Sequence, residues 1–142
     1  MPDLSEPRVT NSDPEAQAYF DGLGRGVILL QHCSGCDQRQ FPPRVHCVRC
    51  GSRELAWDEA DGAGTVYAKT VNRRAPEPAF EKFVPYVVAL VDLDAGVRVM
   101  ARADCPAGDV ATAMRVSVFP DPDPAVGPGL LFTPAPAGPG GA

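Results

Sequence analysis

The sequence predicts a mainly β protein: a helical segment, then a metal-clasped hairpin, then a barrel of short strands. Three observations predict it. Cys33-Ser34-Gly35-Cys36 and Cys47-Val48-Arg49-Cys50 form two CxxC pairs ten residues apart. One stretch of helical periodicity precedes them, within residues 13–26. From Leu55 onward the apolar residues alternate or run in short β-branched blocks, without the spacing of βαβ units.

Residues 1–12 are polar, carry Pro2 and Pro7 and show no periodicity, so a flexible arm is expected there. Over 13–26 a helical segment is expected. Asp13 suits the N-cap and Pro14 the first helical position, where a missing N–H costs nothing. Ser12 with Glu15 offers an alternative capping box. Ala16, Tyr19, Phe20 and Leu23 fall on one face, and Gly22, Gly24 and Gly26 are expected to stop the helix. A helix this short needs a packing surface. That surface is its own domain, or Tyr19 and Phe20 face a partner or ligand.

The metal-clasped hairpin is expected over 27–56. Val27–His32 reads as its first strand, and Arg39–Phe41 as the return, stopped by Pro42-Pro43. Two residues between paired cysteines aim both sulfurs at one ion, so Cys33, Cys36, Cys47 and Cys50 are the candidate ligands. The residue after each pair favours a left-handed backbone, supplied freely by Gly51 and less readily by Asp37. His32 and His46 each precede a pair, but four thiolates already close a structural site. Zinc is the commoner occupant of such a site, and iron is also accepted. Cys105 stands apart, in Asp104-Cys105-Pro106, and reads as a free thiol at a strand-end turn. Its neighbour Asp104 disfavours the thiolate that a nucleophile needs.

The barrel is expected over 57–133. Five strands are read: Leu55–Glu59, Thr65–Val71, Pro85–Asp92, Val97–Ala101 and Met114–Phe119. A five-stranded Greek-key barrel of the OB type fits them, and a small antiparallel sandwich is the alternative. The unbroken apolar run at 86–91 predicts a strand covered on both faces. Arg73, Arg74 and Lys82 lie in a Pro-containing loop, and Pro106–Thr112 has room for one helical turn. Proline at every second position from 120 to 124 denies regular structure to 120–129. Leu130–Thr133 is expected to add a short edge strand, and 134–142 a disordered tail.

The formal net charge is −5, and bound thiolates would make the chain more acidic still. That argues against nucleic-acid phosphates as partners. No apolar run approaches the roughly 20 residues that span a bilayer, so no membrane partner is expected. The start lacks a basic region and an apolar block, and the five cysteines then point to a reducing cytoplasm.

Particular residues sharpen the reading. Tyr19-Phe20-Asp21-Gly22-Leu23, Leu29-Leu30-Gln31-His32-Cys33-Ser34-Gly35-Cys36, Phe41-Pro42-Pro43-Arg44, Cys47-Val48-Arg49-Cys50-Gly51-Ser52, Gly64-Thr65-Val66-Tyr67 and Pro85-Tyr86-Val87-Val88-Ala89-Leu90-Val91 occur in that order. In these the chain resembles the zinc-ribbon/OB-fold family associated with acyl-CoA enzymes, over roughly residues 15–120. The resemblance implies a helical arm, a rubredoxin-like zinc ribbon and a C-terminal OB barrel. It implies a non-catalytic accessory or scaffold subunit for a thiolase-like enzyme, ketosynthase, hydratase or aldolase. Acyl-CoA thioesters of lipid, steroid or polyketide metabolism would be presented or channelled, with Arg73 and Arg74 available to CoA phosphates. The chain departs from the family at Asp37, where glycine is usual, and at Ala111-Thr112-Ala113, where an Ile-Gly turn is common.

Two alternatives compete. A stand-alone thioesterase or acyltransferase would use Cys105 or a histidine. A single-strand nucleic-acid binder would stack bases on Tyr67, Phe83 and Tyr86 and would need a basic groove.

Overall fold

The computed structural model describes residues 14–126 and 128–135. The expected arm at 1–12, the Asp13 and Ser12 caps and the tail beyond Ala135 lie outside them. The chain begins with helix α1 (Pro14–Gly24), then strands β1 (Ile28–Cys33), β2 (Arg39–Gln40) and β3 (Leu55–Ala60). These three form one antiparallel sheet in the order β2-β1-β3. Five further strands follow: β4 (Ala63–Asn72), β5 (Tyr86–Leu93), β6 (Arg98–Ala103), β7 (Arg115–Pro120) and β8 (Leu130–Pro134). They close into a barrel in the order β4-β5-β6-β8-β7. Closure excludes the sandwich and gives the OB arrangement.

Gly22 does not stop the helix. It lies inside α1, where a Cβ would sit 2.9 Å from Leu29 Cδ1. Its missing side chain lets α1 lie against β1. The chain leaves the helix through Gly26, at φ 81°, and Val27 N–H bonds back to the Gly22 carbonyl at 2.9 Å.

The strand at 55–59 forms, but it belongs to the ribbon sheet rather than the barrel. It pairs with β1 from Ile28↔Ala60 to Cys33↔Leu55. The fifth barrel strand is β8, expected as an edge. Phe132 at its centre is wholly buried. It pairs antiparallel with β7 and parallel with β6, the latter at Arg102↔Leu131 and Ala103↔Phe132. The proline-rich loop before it is ordered by its aspartates. Asp121 accepts from Asp123 N–H and Asp123 from Ala125 N–H, both at 2.9 Å. Carboxylates thus take the donors that the prolines leave without strand partners.

β5 also differs from expectation. Val87, Ala89, Val91 and Leu93 are buried inside the barrel, whereas Val88 is half-buried and Leu90 is 38% exposed. The strand is apolar on both faces, but only one face is covered. The single core runs from Tyr19 and Leu23 through Ile28 and Leu30 into the barrel interior around Phe132, Val66 and Val116. No helix among the described residues is long and apolar enough to cross a membrane.

Candidate functional site

The four cysteines of the CxxC pairs converge. Their Sγ atoms all lie within 4.8 Å of one another, with Cys33–Cys50 at 3.6 Å and Cys36–Cys47 at 3.5 Å. Metal–sulfur bonds of about 2.3 Å in a tetrahedron set sulfurs about 3.8 Å apart, so the donor set fits a tetrathiolate metal. Each pair is folded by a tight backbone turn. Asp37 N–H bonds to Cys33 O at 2.8 Å and Gly51 N–H to Cys47 O at 2.9 Å. Asp37 and Gly51 take φ of 65° and 79°, the left-handed geometry expected after each pair.

The Cys50 amide holds the Cys47 thiol down, to about 6, against desolvation, and the Arg49 amide adds to the lowering. Its neighbour Cys36 goes the other way: the Gln38 amide favours its thiolate, but burial and the three facing sulfurs push it up to about 12, so without an ion one thiolate stands among thiols.

A buried glutamine pair, unseen in the sequence, anchors the second knuckle. Gln31 and Gln40 are each 4% exposed. Gln40 Nε2 donates to Gln31 Oε1 at 2.8 Å and to His46 O at 3.1 Å, and Gln40 Oε1 accepts from Val48 N–H. Gln31 clamps Arg44 through both its N–H and its carbonyl. Buried amides that satisfy one another rigidify a loop that has no ladder of its own. The available signal was two glutamines at inward strand positions.

Neither histidine joins the sulfurs. His32 lies between Asp37 and Asp58, with Nδ1 3.1 Å from Asp58 Oδ2, and His46 Nε2 accepts from Arg53 Nε at 3.1 Å. Burial, then Asp109, then Asp104 push the half-buried Cys105 thiol up, which opposes a nucleophilic role.

Tyr19 is in the core, 6% exposed, against the rings of Phe20 and Phe41 at 5.3 and 5.1 Å. Burial pushes its phenol up to about 12. Phe20 is half-buried and packs against the same core. Of this pair, then, Tyr19 serves the domain itself, and Phe20 keeps part of its surface. Arg73 and Arg74 are exposed and immediately follow β4.

An open cleft lies on the outer face of β4, β5 and β6. Register aligns Ala68, Leu90 and Met100 in one row and Thr70, Val88 and Arg102 in the next. Met100 is 63% and Tyr67 53% exposed. A cleft of about 510 Å³ sits over the second row, bounded by Asn72, Phe80 and Tyr86 on one side and by Val126, Pro128 and Leu130 on the other. Arg102 lies in it, nearly buried, with Nη2 2.9 Å from Asp121 Oδ2 and its guanidinium 4.0 Å from the Phe83 ring centre. Stacking holds the charge in place where little water reaches it. Lys82 ties the same loop to Asp123 at 3.3 Å.

Comparison with known proteins bears on what this arrangement is. Residues 20–56 match the family described as "ChsH2, rubredoxin-like zinc ribbon domain" and residues 57–119 the family described as "ChsH2, C-terminal OB-fold domain". The chain belongs to this zinc-ribbon/OB-fold family. A chain of the solved "Ltp2-ChsH2(DUF35) aldolase" superposes with a TM-score of 0.77 at 30% identity, over 92% of this chain and 100% of that one. A DUF35 structure from Sulfolobus solfataricus shares the fold, with a TM-score of 0.60 at 17% identity, over 87% of each chain.

Among curated relatives, a "Probable enoyl-CoA hydratase alpha subunit" of Thermomonospora curvata is 40% identical over 59% of this chain and 26% of its own length. A "DUF35 domain-containing scaffold protein" of Methanocaldococcus jannaschii is 37% identical over 65% of this chain and 66% of its own. Another of that description, from Pyrococcus furiosus, is 40% identical over 44% of this chain and 45% of its own length. The chain thus spans about a quarter of the hydratase subunit and between roughly half and two thirds of the scaffold relatives.

Proposed function

We propose that this chain is a non-catalytic scaffold subunit that binds an acyl-CoA-processing enzyme and helps present or channel its thioester. One observation carries the reading: the fold is shared over the whole of a chain from an aldolase assembly, at 30% identity. The relatives named as scaffolds and as a hydratase subunit support it, and they favour hydratase or aldolase among the partner classes, ahead of a thiolase-like enzyme or ketosynthase. Residue chemistry supports it too. A tetrathiolate fills all four positions of a tetrahedral ion and leaves none for substrate. Cys105 sits where its thiolate is disfavoured. The metal is zinc on this reading, and the thiols stay reduced in the cytoplasm.

Two expected results follow. Co-expressed with a hydratase or aldolase encoded beside it, the tagged full-length chain co-purifies that enzyme in a fixed ratio. Failure with every neighbouring acyl-CoA enzyme would remove the scaffold reading. The purified chain carries one zinc per molecule at pH 7.5, measured by elemental analysis. The ion leaves as the solution is acidified, because protons compete with the metal for the four thiolates. Iron in its place, with the absorption of a ferric tetrathiolate, would overturn the metal assignment.

A further inference from the structure

The second knuckle reverses the charge of the chain around it. From Gln38 to Arg53 the sequence has Arg39, Arg44, Arg49 and Arg53 and no carboxylate, in a chain of net charge −5. Arg39 meets Asp58 at 3.6 Å. Arg44, Arg49 and Arg53 are exposed and form no ion pair among the described residues. On the barrel, by contrast, Arg98, Arg102 and Arg115 each meet an aspartate. Arginines placed only to balance a metal tetrathiolate would aim at its sulfurs. Here Arg49 Nη1 donates to Gln38 Oε1 at 3.5 Å and Arg53 Nε to His46 Nε2 at 3.1 Å. The contact that Arg49 makes with sulfur is through its backbone N–H, to Cys47 Sγ at 3.4 Å.

Apolar surface stands among these charges. Val45 is 46% and Val48 61% exposed. A single exposed valine needs no explanation. These two ride on a backbone that is held from beneath. Gln31 takes the Arg44 N–H and carbonyl, and Gln40 takes the His46 carbonyl and the Val48 N–H. A loop held in one shape loses little freedom when a partner seats on it. Guanidinium forks match carboxylates, so the complement of this surface is an apolar socket with an acidic rim. Residues 42–53 hold no Phe, Tyr or Trp on which a base could stack, which favours protein over nucleic acid.

We infer that the second knuckle is a docking surface for an acidic face of the partner enzyme, with Val45 and Val48 in its socket and Arg44, Arg49 and Arg53 on its carboxylates. The inference rests on the scaffold reading and names the surface that grips the enzyme.

Binding kinetics of the full-length, zinc-loaded chain with the neighbouring enzyme that co-purifies test it. Arg44→Gln with Arg49→Gln should slow association about tenfold and flatten its dependence on salt, with dissociation little changed. Val45→Ser with Val48→Ser should speed dissociation about tenfold and keep the salt dependence. All four side chains are exposed, so zinc content and melting temperature should match the parent chain. Should one variant lose its zinc, the other still decides. Enzyme bound alike by the parent and the zinc-loaded variants refutes the knuckle and spares the scaffold. A parent chain that captures no enzyme removes the scaffold and the docking surface with it. Binding of a single-stranded oligonucleotide, or of a second copy of the chain, that Arg44→Gln with Arg49→Gln abolishes would give the knuckle another occupant and overturn the assignment.

Discussion

Cys36→Ser and Cys50→Ser are each expected to give a chain without bound metal, with an unfolded ribbon and no capture of a partner enzyme. The positions make the test sharp. Cys36 is half-buried and Cys50 is exposed, so neither change opens a cavity in the core. Judged by packing alone, a sulfur-to-oxygen exchange at such sites costs under about 0.5 kcal/mol. Judged by the metal, it removes one of four ligands from a site whose binding energy is folding energy, on the order of 10 kcal/mol. The ribbon has little else to lean on. Its sheet holds one two-residue strand, and its second knuckle hangs on the Gln31–Gln40 amide pair. Circular dichroism, metal content and pull-down are read together, with Cys105→Ser as the control that should change none of them. A Cys50→Ser chain that keeps one metal and its melting temperature would refute the structural role of the site.

Gly62→Ala is expected to be the most damaging glycine-to-alanine change among the described residues, costing more than about 3 kcal/mol in denaturant unfolding. Gly62 turns the chain from β3 into β4 at φ 82°, where a side chain is strained. A Cβ there would also collide with the Val118 carbonyl. Backbone cannot step aside as a flexible side chain can, and this backbone is tied in place, since Val118 N–H bonds Gly62 O at 2.9 Å. Gly96 separates the two effects. It has φ 99° and open space around it, so Gly96→Ala pays strain alone, about 1–2 kcal/mol. Equal costs for the two variants would mean that the joint between ribbon and barrel yields.

Much of this was legible in the sequence because it is local. Ligand spacing, the αL positions at Asp37 and Gly51 and the β-branched strands are all set within a few residues. What escaped depends on pairings that no window contains. Leu55–Glu59 alternates like any half-buried strand, and nothing in it says that β1 rather than the barrel is its neighbour. Leu130–Thr133 was legible as a strand but only as an edge, because its place between β6 and β7 depends on pairings outside any local window. The apolar outer face of β5 read as buried because Val88 and Leu90 look like core, whereas Val88 is only half-buried and Leu90 is exposed. Tyr19 was open between core and partner surface, and the Phe41 ring, far along the chain, decides it for the core.

The position of β8 at the end of the barrel has a consequence for synthesis. Until residues 130–134 are in place, β6 and β7 have no strand between them. Val116, Val118 and Ala103 then face the gap that Phe132 later fills. The barrel therefore cannot complete itself as its early strands emerge, and its interior stays wettable until the last strand is released. The ribbon, whose ligands are all in place by Cys50, is free of that delay. The order of assembly expected is therefore metal knuckles first and barrel last, which pulsed hydrogen exchange during refolding would report. The half that holds the ion can be finished while the half that carries the cleft is still open.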